Sequence, residues 1–175
     1  APTGFLSQAT YSPDGKRIAI TGAPDLFNGI GRNYGDHPVG NDYDTQLFIL
    51  SRTDGTITPA SRDFHPAIDG APVWSQADSR IYFPVNEGFS HPLYSYDPRT
   101  QAFTRIPMPE GLTIARGASI PATSPRIAFT AAGDYTTGVA LTHDLRKGKT
   151  SIFDDPLASR LAEIDMAPGE QWSFT

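Results

Sequence analysis

Three short runs decide the fold: Arg17-Ile18-Ala19-Ile20, Arg80-Ile81-Tyr82-Phe83 and Arg126-Ile127-Ala128-Phe129. They start 63 and 46 residues apart. A second phrase follows each: Leu47-Phe48-Ile49-Leu50, Leu93-Tyr94-Ser95-Tyr96 and Val139-Ala140-Leu141-Thr142, at two equal steps of 46. The odd step is 17 residues too long, and so is the gap between the two phrases of the first copy. One insertion between Ile20 and Leu47 explains both, so the chain is a repeat of period 46.

Each copy carries the same punctuation. Tyr11-Ser12-Pro13-Asp14-Gly15-Lys16, Trp74-Ser75-Gln76-Ala77-Asp78-Ser79 and Ile120-Pro121-Ala122-Thr123-Ser124-Pro125 put a large apolar residue and then turn formers before the Arg-Ile phrase. That order reads as strand, tight turn, strand. The second phrase is a third strand. Turn signals follow at Asp54-Gly55, Asp97-Pro98 and Lys147-Gly148, and then a fourth strand near 56–58, 103–106 and 150–153. Four strands in this period match one blade of a β-propeller. Helical solenoids of similar period are excluded because helical spacing is absent and glycine and proline number 16 each.

The expected fold is therefore all-β: a partial β-propeller of three four-stranded antiparallel blades near 4–60, 68–108 and 114–155, with a short C-terminal tail at 156–175. In the tail, Asp155-Pro156 should open a short helix carrying Leu157, Leu161 and Ile164 on one side, and Trp172-Ser173-Phe174 has the look of a strand. Closed propellers have about 4–8 blades. A three-blade wedge thus leaves an open face at each end, which either further blades or copies of this chain would cover.

Composition removes several function classes. Among 175 residues, 14 Lys and Arg stand against 19 Asp and Glu, for a net charge of −5, which does not suit a nucleic-acid partner. Cysteine is absent, so disulfides and thiolate metal sites are excluded. No apolar run reaches the roughly 20 residues of a membrane-spanning helix.

Tyr11-Ser12-Pro13-Asp14-Gly15-Lys16-Arg17-Ile18-Ala19-Ile20 resembles the blade motif of propellers in the prolyl oligopeptidase family of serine peptidases and in related periplasmic propellers. Leu26-Phe27-Asn28-Gly29-Ile30-Gly31-Arg32-Asn33, with Asn41-Asp42-Tyr43-Asp44-Thr45-Gln46-Leu47-Phe48, is similar to bacterial dipeptidyl or acylaminoacyl peptidases of that family. So is the end, Leu161-Ala162-Glu163-Ile164 and Pro168-Gly169-Glu170-Gln171-Trp172-Ser173-Phe174. The resemblance covers essentially the whole chain. It implies the last blades of a propeller, with the tail leading toward an α/β-hydrolase domain as partner. The implied role is non-catalytic: gating access and lining part of the cavity for a short peptide, in the periplasm or outside the cell, with no cofactor. The alternative is a stand-alone propeller of the cell envelope that binds a protein partner. No Gly-x-Ser-x-Gly nucleophile elbow occurs in these residues, and Gly117-Ala118-Ser119-Ile120-Pro121 lacks the second glycine.

The insertion 22–44 holds the candidate binding residues. It has five glycines, and Asp25, Asp36, Asp42 and Asp44 against Arg32 make its charge −3. Long loops on a repeat scaffold often carry binding. The resemblance implies that such an insertion reaches the substrate's amino end, where Asp36, Asp42 and Asp44 would hold an ammonium group by charge-assisted hydrogen bonds. The alternative is a solvated loop whose aspartates cap turns. His37 beside these carboxylates matches no metal-site spacing. His65, His91 and His143 are expected in loops between strands. Arg17, Arg80 and Arg126 recur at one blade position, on the strand face opposite the following Ile, and are expected to pair with an aspartate of the same or the next blade. Tyr11, Trp74 and Ile120 are expected to pack between blades.

Overall fold

A computed structural model describes residues 6–32, 44–136, 138–167 and 172. The chain is a partial β-propeller of three antiparallel sheets. The first runs β1 (Leu6–Tyr11), β2 (Arg17–Gly22), β3 (Gln46–Ser51) and β4 (Ile57–Thr58), in that spatial order. The second has an inner strand in two pieces, β5 (Ala67–Ile68) and β6 (Val73–Trp74), both paired with β7 (Ile81–Asn86), followed by β8 (Leu93–Asp97) and β9 (Ala102–Arg105). The third runs β10 (Leu112–Ser119), β11 (Arg126–Gly133), β12 (Val139–Asp144) and β13 (Lys149–Asp154).

Serine and aspartate close the β1–β2 hairpin and its counterpart in the second sheet. The Ser12 hydroxyl donates to Asp14 at 2.6 Å and accepts the Arg17 N–H at 2.9 Å, while Asp14 accepts the Lys16 N–H at 3.0 Å. Gly15 supplies the positive φ of 67° that the turn requires. In the second sheet Ser75 and Asp78 accept the N–H groups of Ala77 and Arg80. The turns after the third strands are held by Asp54, Asp97 and Asp144, which accept the N–H groups of Thr56, Arg99 and Arg146 at 2.9–3.0 Å. These are Asx turns, in which a short carboxylate replaces a backbone acceptor.

Strand alternation sorts the apolar residues into layers between the sheets. Ala19, Leu47 and Ile49 of the first sheet meet Trp74, Ile81, Phe83 and Tyr96 of the second. Tyr82 and Leu93 on the other face of the second sheet meet Ile127, Phe129, Val139 and Leu141 of the third. Backbone hydrogen bonds repeat across both interfaces: Ile68 N–H donates to Thr45 O at 2.7 Å, and Ala115 N–H to His91 O at 2.7 Å.

The repeat needs one correction. Ile81 pairs with Tyr96, whereas the equivalent Ile127 pairs with His143, so the third strand of the last sheet lies 47 residues on and not 46. The extra residue lies in the connection between β11 and β12. Because the side-chain period is 2, this slip turns Val139 toward the second sheet, while Leu93, its partner in the 46-step alignment, faces the third. His143 lies inside β12, where it is buried, and not in a loop as expected.

The end faces differ. On the outer side of the first sheet, Ile20 and Phe48 are covered by Leu26, Phe27 and Ile30 of the insertion. Tyr11, on the same side, is 61% exposed and, among the described residues, has no neighbouring sheet to pack on, unlike its counterpart Trp74. On the outer side of the third sheet Arg126, Ala128 and Thr130 are exposed. In the tail, α2 (Ala158–Leu161) forms where the sequence places a helix, but it buries none of its residues, and Ile164 is 56% exposed.

Candidate functional site

The insertion leaves β2 at Gly22 and rejoins β3 at Gln46, and its two ends are fastened together. Pro24 and Gly31 close the first part, with Gly31 N–H donating to Pro24 O at 3.2 Å. Between them lies α1 (Leu26–Gly29), in which Phe27 and Asn28 adopt positive φ of 57° and 65°, so the segment is a pair of tight turns and not a regular helix. Leu26 is buried, and the Phe27 ring meets Phe48 edge-on at 5.3 Å. These apolar residues turn the loop back onto the sheet.

Arg32 then acts as the fastening. Its N–H donates to the Gln46 side-chain oxygen at 2.8 Å, and its guanidinium donates to Asp44 at 3.2 Å. The same guanidinium reaches the backbone carbonyls of Arg62 and His65 at 3.0 and 3.1 Å, and that of Phe64. Gln46 in turn donates to Asp44 at 2.9 Å. One side chain therefore ties both feet of the insertion to the connection between the first and second sheets. The side chains of Arg32 and Asp44 are only 14% and 6% exposed, so this pair works in a partly desolvated setting, where charge-assisted bonds are strong.

Of the three candidate aspartates, Asp44 sits at the foot of the insertion, buried and engaged with Arg32 and Gln46. Asp36 and Asp42 lie outside the described residues, as does His37. Sequence assigns no role to Arg32 or Gln46, although a lone arginine in an acidic insertion is a usable signal.

Further polar groups gather at the same end of the sheets. The Tyr94 hydroxyl donates to Glu87 at 3.2 Å, and Arg105 lies 3.4 Å from the same carboxylate. Burial first, and then the Glu87 charge, hold the Tyr94 phenol above its ordinary pKa. His91 lies 3.2 Å from Asp69. Phe89, at the hairpin tip beside them, is 75% exposed. Among the described residues no three His, Cys, Asp or Glu side chains come together as a metal site, and no helix is long and apolar enough to cross a membrane.

The recurrent arginines divide. Arg80 and Arg126 pair with Asp97 and Asp144 of their own sheets at 3.7 and 4.0 Å. Arg17 faces Ser51 at the equivalent position and instead lies over the Trp74 ring of the second sheet, 5.1 Å from its centroid.

No protein-family model and no curated protein sequence matches the chain. Solved structures do match it in fold. TolB from Acinetobacter baumannii superposes with a TM-score of 0.58 at 16% identity over 87% of this chain and 32% of its own. A puromycin hydrolase superposes with a TM-score of 0.60 at 17% identity over 87% and 22%. An oligogalacturonate lyase from Vibrio parahaemolyticus gives 0.55 at 10% identity over 87% and 41%. The chain thus spans between about a fifth and two fifths of these proteins. Their likeness establishes the propeller fold.

Proposed function

We propose that this chain is the non-catalytic propeller segment of a serine peptidase resembling the prolyl oligopeptidase family, and that it gates access to a neighbouring α/β-hydrolase domain and lines part of its peptide cavity. The observation that carries this reading is the Arg32 fastening. It holds a strongly acidic insertion by both feet at one end of the sheets, which is the arrangement a substrate-contacting loop needs. Asp36 and Asp42 are the carboxylates assigned to the ammonium group of a short peptide, and Asp44 contributes by anchoring Arg32. The likeness in fold to a puromycin hydrolase supports a hydrolase partner. A periplasmic or secreted location belongs to the same proposal.

The test uses the polypeptide that joins this chain to a hydrolase domain. Asp36→Asn and Asp42→Asn are expected to lower kcat/KM at least about tenfold for free-amine peptides, the loss of one charge-assisted hydrogen bond. Activity on N-acetylated peptides should stay unchanged. Equal kinetics on both substrate types in both variants would overturn the assignment.

A second reading draws on the likeness to TolB from Acinetobacter baumannii: a stand-alone envelope propeller that binds a protein and hydrolyses nothing. A parent polypeptide without activity on any peptide amide or ester would favour it.

A further inference from the structure

Two of the three sheets share one electrostatic device, of which the first sheet has only the arginine. In the second and third sheets an arginine at the start of the second strand faces an aspartate at the end of the third: Arg80 with Asp97, Arg126 with Asp144. In the first sheet the aspartate's place is taken by Ser51, cross-strand partner of Arg17. Among the described residues no carboxylate lies within 4.0 Å of the Arg17 guanidinium. Arg17 is half-buried between two sheets, and the nearby carboxylates, Asp14 and Asp54, make no ion pair with it, so part of its desolvation is uncompensated. Stacking on Trp74 offsets part of that cost.

Beside Arg17 lies a cavity of about 270 Å³ between the first and second sheets. Its walls carry hydrogen-bonding groups of Ser51, Thr56, Thr58, Tyr96 and Gln101, with Ile49 and Pro98 as apolar surface. It stands at the end of the sheets opposite the insertion, since β2 begins at Arg17 and runs toward Gly22. We propose that this cavity is a binding site for a small carboxylate anion, which supplies Arg17 with the counter-charge that Asp97 and Asp144 supply in the other sheets. A planar guanidinium fits a carboxylate through two parallel N–H bonds, and the Thr58 and Tyr96 hydroxyls, which Asp54 does not engage, are donors for its remaining lone pairs.

Two features narrow the ligand class. Burial and the neighbouring Asp97 raise the Tyr96 phenol above its ordinary pKa, so it remains a donor at neutral pH. Asp54 also lines the cavity. Hydrogen bonds from Ser51 and Thr56 keep it ionised, and its charge opposes a dianion such as phosphate more than a monoanion.

Trp74, beneath Arg17, is a built-in reporter. Trp172→Phe removes the other of the two tryptophans and gives a single-tryptophan chain. Titration with N-acetylglycinate, at ionic strength held constant with sodium chloride, is expected to give a saturable change in Trp74 fluorescence. Inorganic phosphate under the same conditions should bind at least tenfold more weakly. Arg17→Gln should abolish the response. Ser51→Asp, which installs the carboxylate of the other two sheets, should weaken binding at least tenfold while leaving the melting temperature unchanged or higher. No saturable response in the parent chain, phosphate binding as tight as N-acetylglycinate, or undiminished binding in a folded Ser51→Asp variant would each overturn the proposal.

Discussion

Phe27 meets Phe48 edge-on, with ring centroids 5.3 Å apart and planes at 75°. One repeat later the same geometry recurs, because Phe64 meets Tyr94 at 5.2 Å and 67°, and Tyr94 is the equivalent of Phe48. Phe64 comes from the connection joining the first sheet to the second, whereas Phe27 comes from the insertion inside the first sheet. The insertion therefore provides for the outer face of the first sheet what an inter-sheet connection provides for the second.

That equivalence predicts a structural role for the start of the insertion. Leu26→Ala is expected to cost about 2–4 kcal/mol, since the side chain is buried, and Phe27→Ala about 1–3 kcal/mol, since it is half-buried. Urea unfolding of the purified variants measures both. Losses below about 0.5 kcal/mol, the ordinary range of surface substitutions, would show that the segment does not cap the sheet.

Gly31 is where the insertion passes closest to its own base. A Cβ there would stand 2.4 Å from Pro24 O and 2.7 Å from the Gln46 side-chain oxygen. The backbone atom cannot give way without moving the loop. Gly31→Ala is expected to destabilise by about 1–3 kcal/mol and to disturb the Gln46 contact with Arg32. Gly29→Ala is an informative control: it meets no atom within 4 Å but requires φ of 73°, so it reports backbone strain alone. A Gly31→Ala variant as stable as the parent chain would refute the close approach.

Much of this architecture was legible because the repeat is carried by residues whose backbone demands are local. The Arg-Ile phrases mark β2, β7 and β11, and the aspartate turns between third and fourth strands follow from Asx chemistry. What escaped was nonlocal. The extra residue in the third sheet leaves the apolar pattern of Val139-Ala140-Leu141-Thr142 readable at either register, and only pairing with β11 decides it. The inner strand of the second sheet is interrupted at Gly70, φ 91°, between β5 and β6, whereas in the third sheet the irregularity near Gly117, φ 62°, is only a register shift within a continuous β10. Leu26 and Phe27 looked like loop residues because glycine and aspartate surround them; their burial depends on an open sheet face that sequence spacing does not reveal. Tyr11 and Trp74 occupy the same repeat position, yet among the described residues a neighbouring sheet covers Trp74 and none covers Tyr11.

The Arg32–Asp44 pair gives a third prediction. Removing one member of a nearly buried ion pair withdraws a charge-assisted contact from the other. Asp44→Ala is expected to cost about 3 kcal/mol, measured by urea unfolding, because Arg32 loses its carboxylate while still held among backbone carbonyls. Arg32→Met, which keeps the apolar stem and removes the charge, should lose the hydrogen bonds to Arg62, Phe64 and His65 and weaken the docking of that connection. If both variants unfold at the urea midpoint of the parent chain, the pair is not the fastening described.

His143 gives the last prediction, in pH. It lies in β12, 4% exposed, with its ring nitrogen Nδ1 2.9 Å from the Thr150 hydroxyl, and Thr150 itself donates to Pro107 O. Burial pushes the imidazole below its ordinary pKa of 6.5, and the neighbouring Asp144 charge only partly opposes this. The folded chain thus holds His143 neutral at pH values where the unfolded chain has already taken up a proton. Its contribution to stability is fully present above pH 6.5 and is lost as acidification proceeds from that value down through the depressed folded pKa. One extra proton on the unfolded side limits the slope to about 1.4 kcal/mol per pH unit. Unfolding free energies measured between pH 7.5 and 5 should fall on acidification, and His143→Gln, which keeps a hydrogen-bonding group toward Thr150, should flatten that part of the profile. A profile of the same slope in both chains would show that other groups carry the acid sensitivity.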